Sequence, residues 1–139
     1  MATTERVVVD TNVLVSRLIL PESMPAQAVR RALDSTLLFS EATMNELADV
    51  LSRAKFDPYV ARRDREQFVR ELCTLIEFVP IIQVVRDCPD SRDNKFLEVA
   101  LNGRADLIIT GDADLLALNP WREVTIVSPA EYLRLWGFQ

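Results

Sequence analysis

Residues 7–12 read VVVDTN, so three β-branched apolar residues lead directly into Asp10, and apolar residues return at positions 13–15. A run of β-branched residues that is apolar on both faces favours a buried strand. A carboxylate that follows such a strand either caps the next helix or belongs to a site at the rim of a sheet. The stretch therefore predicts a strand that delivers Asp10 at its carboxyl end.

Apolar residues alternate between strand-like and helical spacing along the rest of the chain. The pattern predicts strands at 6–9, 37–39, 83–85, 107–110 and 124–127, and helices at 12–20, 26–34, from 40 to about 56–58, from 64, from 93, from 111 to 118 and after 128. Helices that alternate with apolar strands favour an α/β fold with a parallel sheet. In such a fold a site is expected beyond the carboxyl ends of the strands, where the chain order reverses.

Composition limits the size and type of the protein. A chain of 139 residues with 49% hydrophobic content is consistent with one domain, residues 1–139. A net charge of −5 argues against nucleic-acid binding by bulk charge alone. No apolar run approaches the roughly 20 residues that span a bilayer, and no leader pattern is present, so we expect a soluble cytoplasmic protein.

The chain contains no histidine, which excludes histidine-based nucleophilic catalysis and histidine metal ligands. Cys73 and Cys88 show neither a CxxC spacing nor a zinc-ligand spacing, so we expect reduced thiols. Chemistry in this protein must therefore use carboxylates, hydroxyls, thiols, lysine or arginine.

Four acids stand at positions from which they could meet over one edge of the sheet. Asp10 and Asp112 each follow a strongly apolar strand, and either residue could simply cap the helix that follows. Asp93 precedes a helix and aligns with its apolar stripe, which points the carboxylate inward. Glu46 lies inside a helix at the margin of its apolar face, where a surface glutamate is also common.

Clustered carboxylates repel one another, so such a group usually exists because a divalent cation neutralises it. Oxygen ligands without histidine or thiolate favour hard ions, namely Mg²⁺ or Mn²⁺. A metal-activated water that attacks a phosphodiester is the chemistry that suits such a site.

Five segments, taken in order, resemble the PIN-domain nucleases, and especially their branch of toxins from toxin–antitoxin systems. These segments are VDTN, the helix containing NEL, PDSRDNKFLEVA, ADLIITGDADLL and IVSPAEYL. The resemblance covers nearly the whole chain and implies a three-layer α/β/α sandwich with a mostly parallel sheet of about five strands. It also implies cleavage of RNA, usually single-stranded, with Mg²⁺ or Mn²⁺.

Carried over by position, the resemblance assigns catalysis and metal binding to four acids: Asp10, Glu46, Asp93 and Asp112. Asp90 competes with Asp93 for the third place. Asp114 is an additional candidate metal ligand, or alternatively an acid that the helix dipole favours in the first turn of the helix. Asn12 and Thr110 occupy supporting polar positions beside the site. The family also implies a homodimer and a small antitoxin partner.

Arg92 and Lys95 flank the third acid, and we hypothesise that they position the RNA backbone, although most such charges are solvated surface. Two other readings compete with a nuclease. An aspartyl-phosphate phosphohydrolase fits less well, because Asn12 stands where that class has a second aspartate. A catalytically weak or inactive interaction module is the non-enzymatic alternative.

Overall fold

The computed structural model describes residues 5–136. It contains five strands, β1 Arg6–Val9, β2 Thr36–Phe39, β3 Glu77–Phe78, β4 Leu107–Ile109 and β5 Thr125–Val127. Its seven α-helices are α1 Thr11–Ile19, α2 Met24–Ala32, α3 Glu41–Leu51, α4 Arg62–Leu75, α5 Asn94–Asn102, α6 Ala113–Leu116 and α7 Pro129–Trp136. Short 3₁₀ turns span Ala54–Phe56 and Ser91–Asp93. The ends of the predicted domain, residues 1–4 and 137–139, lie outside the described residues.

All strand pairs in the sheet are parallel, and the strand order is β3-β2-β1-β4-β5. The chain moves outward from β1 in one direction and then returns to add β4 on its other side. The carboxyl ends of β1 and β4 therefore meet at the point where the order reverses, which is where open parallel sheets form sites. Val8 of β1 is in register with Ile108 of β4.

Helices cover both faces of the sheet. One face, which includes Val7 and Val9, packs against apolar residues of α1, α2, α3, α4 and α7. The other face, which includes Val8 and Ile108, packs against α5 and α6. Each fully buried valine or isoleucine contributes about 1.5–3 kcal/mol to folding, so these alternating residues fix the register of the central strands. The predicted α/β/α sandwich with a parallel sheet of five strands is confirmed.

The predicted strand at 83–85 is wrong, because the edge strand is β3 and follows α4 directly. The main-chain N–H of Val79 still reaches the Phe39 carbonyl, and Pro80 then lacks the N–H that would continue the ladder. Residues 82 and 83 instead donate their N–H groups to Asn102 Oδ1 at 3.0 and 2.9 Å. A side chain of α5 thus accepts the hydrogen bonds of these two N–H groups, so this extended segment does not need to pair with a strand.

Helix α4 is also shorter than its apolar stripe indicated. The spacing of Phe68, Leu72, Leu75, Ile76 and Val79 predicts one apolar stripe on a single helix. The helix instead ends at Leu75, whose side chain is exposed. Within residues 5–136, no helix has both the length and the apolar character needed to cross a bilayer.

Candidate active site

The four acids from four different parts of the chain line one cavity of about 300 Å³, which we call the acidic cavity. It lies beyond the carboxyl ends of β1 and β4. Its lining includes all four predicted acids, the alternative acid and two basic residues: Asp10, Glu46, Asp93, Asp112, Asp90, Arg53 and Arg92. Asp114 lies in the first turn of α6 and does not line this cavity.

Asp10 is buried and both of its oxygens accept hydrogen bonds. The main-chain N–H of Asn12 donates to Oδ1 at 3.4 Å, which caps α1, and Thr110 Oγ1 donates to Oδ2 at 2.7 Å. Burial raises the pKa of the Asp10 carboxyl, and the negative charges of Glu46 and Asp112 add to this, while the two hydrogen bonds oppose it. Asp10 therefore caps a helix and also faces the other acids.

Asp112 has a matching arrangement at the end of the neighbouring strand. Its Oδ2 accepts the main-chain N–H of Leu115 at 3.0 Å and so caps α6. Its own main-chain N–H donates to Thr110 Oγ1 at 3.0 Å. Because the same hydroxyl donates to Asp10, the buried Thr110 ties the two aspartates together across the sheet.

Glu46 is half-buried on α3, and protein groups occupy both of its oxygens. Lys95 Nζ donates to Oε1 at 2.8 Å, and Thr11 Oγ1 donates to Oε2. Lys95 Nζ also donates to the Arg92 carbonyl at 2.6 Å. The ammonium predicted to meet a phosphate is thus held by a carboxylate of the cavity.

The contact of Thr11 with Glu46 is a feature that the sequence reasoning missed. Thr11 is buried and stands three and four residues before Leu14 and Val15, which are also buried on α1. That spacing places its hydroxyl on the inner side of the helix. A polar residue at a core position next to Asp10 was the signal that could have identified it.

Asp93 is the acid with the least support from the protein. It stands at the first position before α5, but its side chain accepts no capping hydrogen bond, and its Oδ2 is buried without a partner within residues 5–136. Burial raises the pKa of Asp93 to about 7, and the neighbouring carboxyl group of Asp112 together with the charges of Asp10 and Asp90 acts in the same direction. Two carboxyl groups this close share protons rather than titrating separately.

Asp90, the alternative third acid, is already engaged. Its Oδ1 accepts the main-chain N–H of Arg92 at 3.0 Å, and the Arg92 guanidinium binds both of its oxygens at 3.1 and 2.9 Å. These contacts lower the pKa of Asp90, the hydrogen bonds of Arg92 being the main cause. The Arg92 side chain is 85% exposed, so this pair lies at the rim of the cavity.

The acidic cavity therefore holds more negative charge than its basic residues compensate. Within residues 5–136, no three acidic or cysteine side chains lie close enough together to form a ready-made metal-binding group. The donor set is nevertheless all oxygen, and one buried carboxylate oxygen lacks any partner. A hard divalent cation fits such a donor set.

This chain is similar to known proteins in its family, its sequence and its structure. A model described as the PIN domain matches residues 6–114. The uncharacterized protein MJ1680 of Methanocaldococcus jannaschii is 30% identical over 119 residues, which cover 81% of this chain and 74% of that protein.

Two solved structures have the same fold. One is a structure of VapBC2 from Rickettsia felis bound to a DNA fragment from its promoter. It matches with a TM-score of 0.59 at 10% identity, covering 88% of this chain and 98% of that chain. PAE2754 from Pyrobaculum aerophilum matches with a TM-score of 0.61 at 14% identity, covering 98% and 91%. At these identities the likeness shows the architecture of the chain.

Proposed function

This chain belongs to the PIN-domain family, and on that premise we propose that it is a metal-dependent endoribonuclease that hydrolyses phosphodiester bonds of mostly single-stranded RNA. The acidic cavity is the observation that carries the proposal. Four carboxylates reach it from separate elements, and the pKa of Asp93 is raised to about 7 there. Perturbed carboxyl groups that converge in a cleft are characteristic of functional sites.

Asp10, Asp93 and Asp112 are the residues we assign to hold Mg²⁺ or Mn²⁺. Asp93 Oδ2 is a buried oxygen without a partner within residues 5–136. Burial, and after it the neighbouring carboxylates, raises the pKa values of Asp10 and Asp93, and a bound cation would offset both effects. When bound, such an ion activates water for attack on a phosphodiester and stabilises the charge on the phosphate oxygens. Asp114 remains a predicted additional ligand.

The remaining residues position these carboxylates and the substrate. Thr110 holds Asp10 and Asp112 in fixed orientations, because its hydroxyl contacts both residues. Glu46 is the fourth acid of the set and also anchors Lys95 at the cavity. Asp90 holds the Arg92 guanidinium at the rim, and the exposed side of that guanidinium can meet an RNA phosphate.

We also propose that the chain is the toxin of a toxin–antitoxin pair, acting as a single domain in the cytoplasm. The order of its motifs supports this role, and so does its structural likeness to VapBC2, which was solved on a DNA fragment from its own promoter. The partners would be a small antitoxin protein and a second copy of the chain. The nuclease test below does not depend on either partner.

The decisive experiment incubates purified protein with single-stranded RNA and either Mn²⁺ or Mg²⁺. Cleavage should require the ion and stop in EDTA. Asp10→Asn should lower the rate about 100-fold or more, since it removes one of the charges that hold the ion. The same substitution should leave the melting temperature nearly unchanged in EDTA, because asparagine caps helices as well as aspartate does.

Glu123→Gln is the matched control, since Glu123 is exposed and precedes the amino end of β5, whereas the acidic cavity lies beyond the carboxyl ends of the strands. It should cleave RNA at the wild-type rate. Absence of cleavage with both ions, or cleavage that persists in EDTA, would exclude the proposed chemistry. A large loss of stability in Asp10→Asn would instead show that Asp10 is mainly a structural cap.

A further inference from the structure

A second cavity, of about 410 Å³, adjoins the acidic cavity. The two cavities share Asp10, Asn12 and Asp112 in their walls. The rest of the second cavity is formed by uncharged residues: Val13, Ser16, Pro25, Gly111 and Pro129. Its volume is in the range of about 300–1,000 Å³ that small-molecule sites occupy.

Charge determines which part of an RNA chain this second cavity can accept. Among residues 5–136, no lysine or arginine lines it, whereas Arg53 and Arg92 line the acidic cavity. A phosphate placed there would meet no counter-charge and would be repelled by Asp10 and Asp112. The sugar and base of a nucleotide carry no charge, and their faces can pack against the two prolines and Val13.

Asn12 provides a polar group that can recognise a base. Its main chain is fixed, since its N–H donates to Asp10 and its carbonyl accepts from Ser16 Oγ. Its side chain is exposed, and within the described part of the chain no residue forms a hydrogen bond with its side-chain amide. An asparagine amide offers a donor and an acceptor side by side, which is the pairing it makes with the edge of adenine.

We propose that the second cavity binds the nucleoside adjacent to the cleaved phosphate, and that Asn12 selects this nucleoside through the edge of its base. The inference rests on the proposed ribonuclease function and adds to it a determinant of sequence preference. Single-stranded RNA is suited to such a site because its unpaired bases can turn outward from the strand.

Gly111 allows the second cavity to be filled without disturbing the fold. It does not have a positive φ, and a Cβ added there would meet no atom within 4 Å. Gly111→Val should therefore fold normally and obstruct the nucleoside. We expect its KM for a short single-stranded RNA with Mn²⁺ to rise about tenfold or more, with little change in melting temperature.

Ala117→Val is the matched control, because Ala117 is exposed after α6 and does not line the cavity. It adds similar bulk nearby and should keep the wild-type KM. A Gly111→Val protein that melts like the wild type and keeps its KM would overturn the proposal.

Asn12→Ala tests selection separately from occupancy. Sequencing the ends produced from a random RNA pool should show that the variant loses preference at one nucleotide beside the cut. A uniform loss of rate with an unchanged preference would show that Asn12 acts only on the carboxylates and would overturn its selecting role.

Adenosine titrated into the metal-free wild-type protein gives a readout that does not need activity. Its binding should shift the amide resonances of Gly111 and Asn12, and the shifts should be lost in Gly111→Val. If the wild type cleaves no RNA, the ribonuclease proposal fails, while the resonance shifts still judge the cavity. Resonances that do not shift at the highest adenosine concentration would overturn the proposal that this cavity binds a nucleoside.

Discussion

Replacing Asp93 by asparagine should stabilise the protein at about pH 8 when divalent ions are absent. Asparagine keeps the size of the side chain but removes a partly buried charge beside Asp112, Asp10 and Asp90. In the wild type the Asp93 pKa is about 7 in the folded state, compared with about 3.9 for an unfolded chain. Between these two values the folded state binds more protons than the unfolded state, so stability falls as pH rises from about 4 to 7.

The magnitude follows from this difference in pKa. A shift of about three units corresponds to an upper limit of about 4 kcal/mol. The cavity opens to solvent and counter-ions screen its charges, which reduces the expected effect to about 1–2 kcal/mol. For a domain of this size that corresponds to a melting temperature about 3–8 °C higher for Asp93→Asn at pH 8. At about pH 4 the two proteins should be nearly equal, because Asp93 is then protonated in the folded state.

Urea or thermal unfolding in EDTA across this pH range measures the effect. Glu123→Gln, which removes a charge from an exposed site, should follow the wild-type curve. Mn²⁺ should reverse the order at pH 8, since the wild type gains the binding energy of the ion and Asp93→Asn has lost a ligand. If wild-type stability is flat between about pH 5 and 8, or if Asp93→Asn is no more stable than Glu123→Gln, the charge of Asp93 does not destabilise the folded protein.

Two other substitutions test the contacts around the site and its support. Lys95→Met should lower the stability in EDTA by up to about 1 kcal/mol, because it removes the ion pair with Glu46. It should also increase the rise in melting temperature that Mn²⁺ causes, because it frees Glu46 Oε1. An unchanged response to Mn²⁺ would contradict this. Arg65→Lys should cost about 3 kcal/mol in urea unfolding, since the buried guanidinium donates to the carbonyls of Leu51 and Arg53 and lysine lacks its planar fork. A loss below about 1 kcal/mol would show that water replaces those hydrogen bonds.

Local sequence signals were sufficient for β1, β2, β4 and β5 and failed at the edge strand β3. β1 and β4 are apolar runs that end at a polar residue or glycine, so their composition and length identify them. β3 has two exposed residues and exists because it pairs with β2. The segment 81–85 has a more strand-like composition, but its N–H groups bind side chains of α5.

The position of each acid could be predicted, but its partners could not. The sequence pattern indicates where a strand or helix begins and ends. It therefore also indicates which carboxylate that strand or helix brings to the carboxyl ends of the strands. The hydrogen bonds of Glu46 join it to Thr11 and Lys95, which are 35 and 49 positions away along the chain. Such contacts depend on how α3 packs against α1 and α5, and no local pattern encodes that packing.

Capping and metal binding, which began as competing explanations for these aspartates, are compatible because each of the two oxygens of a carboxylate has two lone pairs, more than the hydrogen bonds use. Asp10 uses Oδ1 for the N–H of α1, and Asp112 uses Oδ2 for the N–H of α6. A hydrogen bond from an N–H favours the charged form of a carboxylate, and at Asp10 the bond from Asn12 opposes the rise in pKa that burial causes. Asp93 has no such bond, because Asp90 caps the preceding turn in its place. The unfavourable energy of assembling the acids is therefore concentrated at Asp93, the residue where neutralisation by a cation would have the largest effect on the stability of the protein.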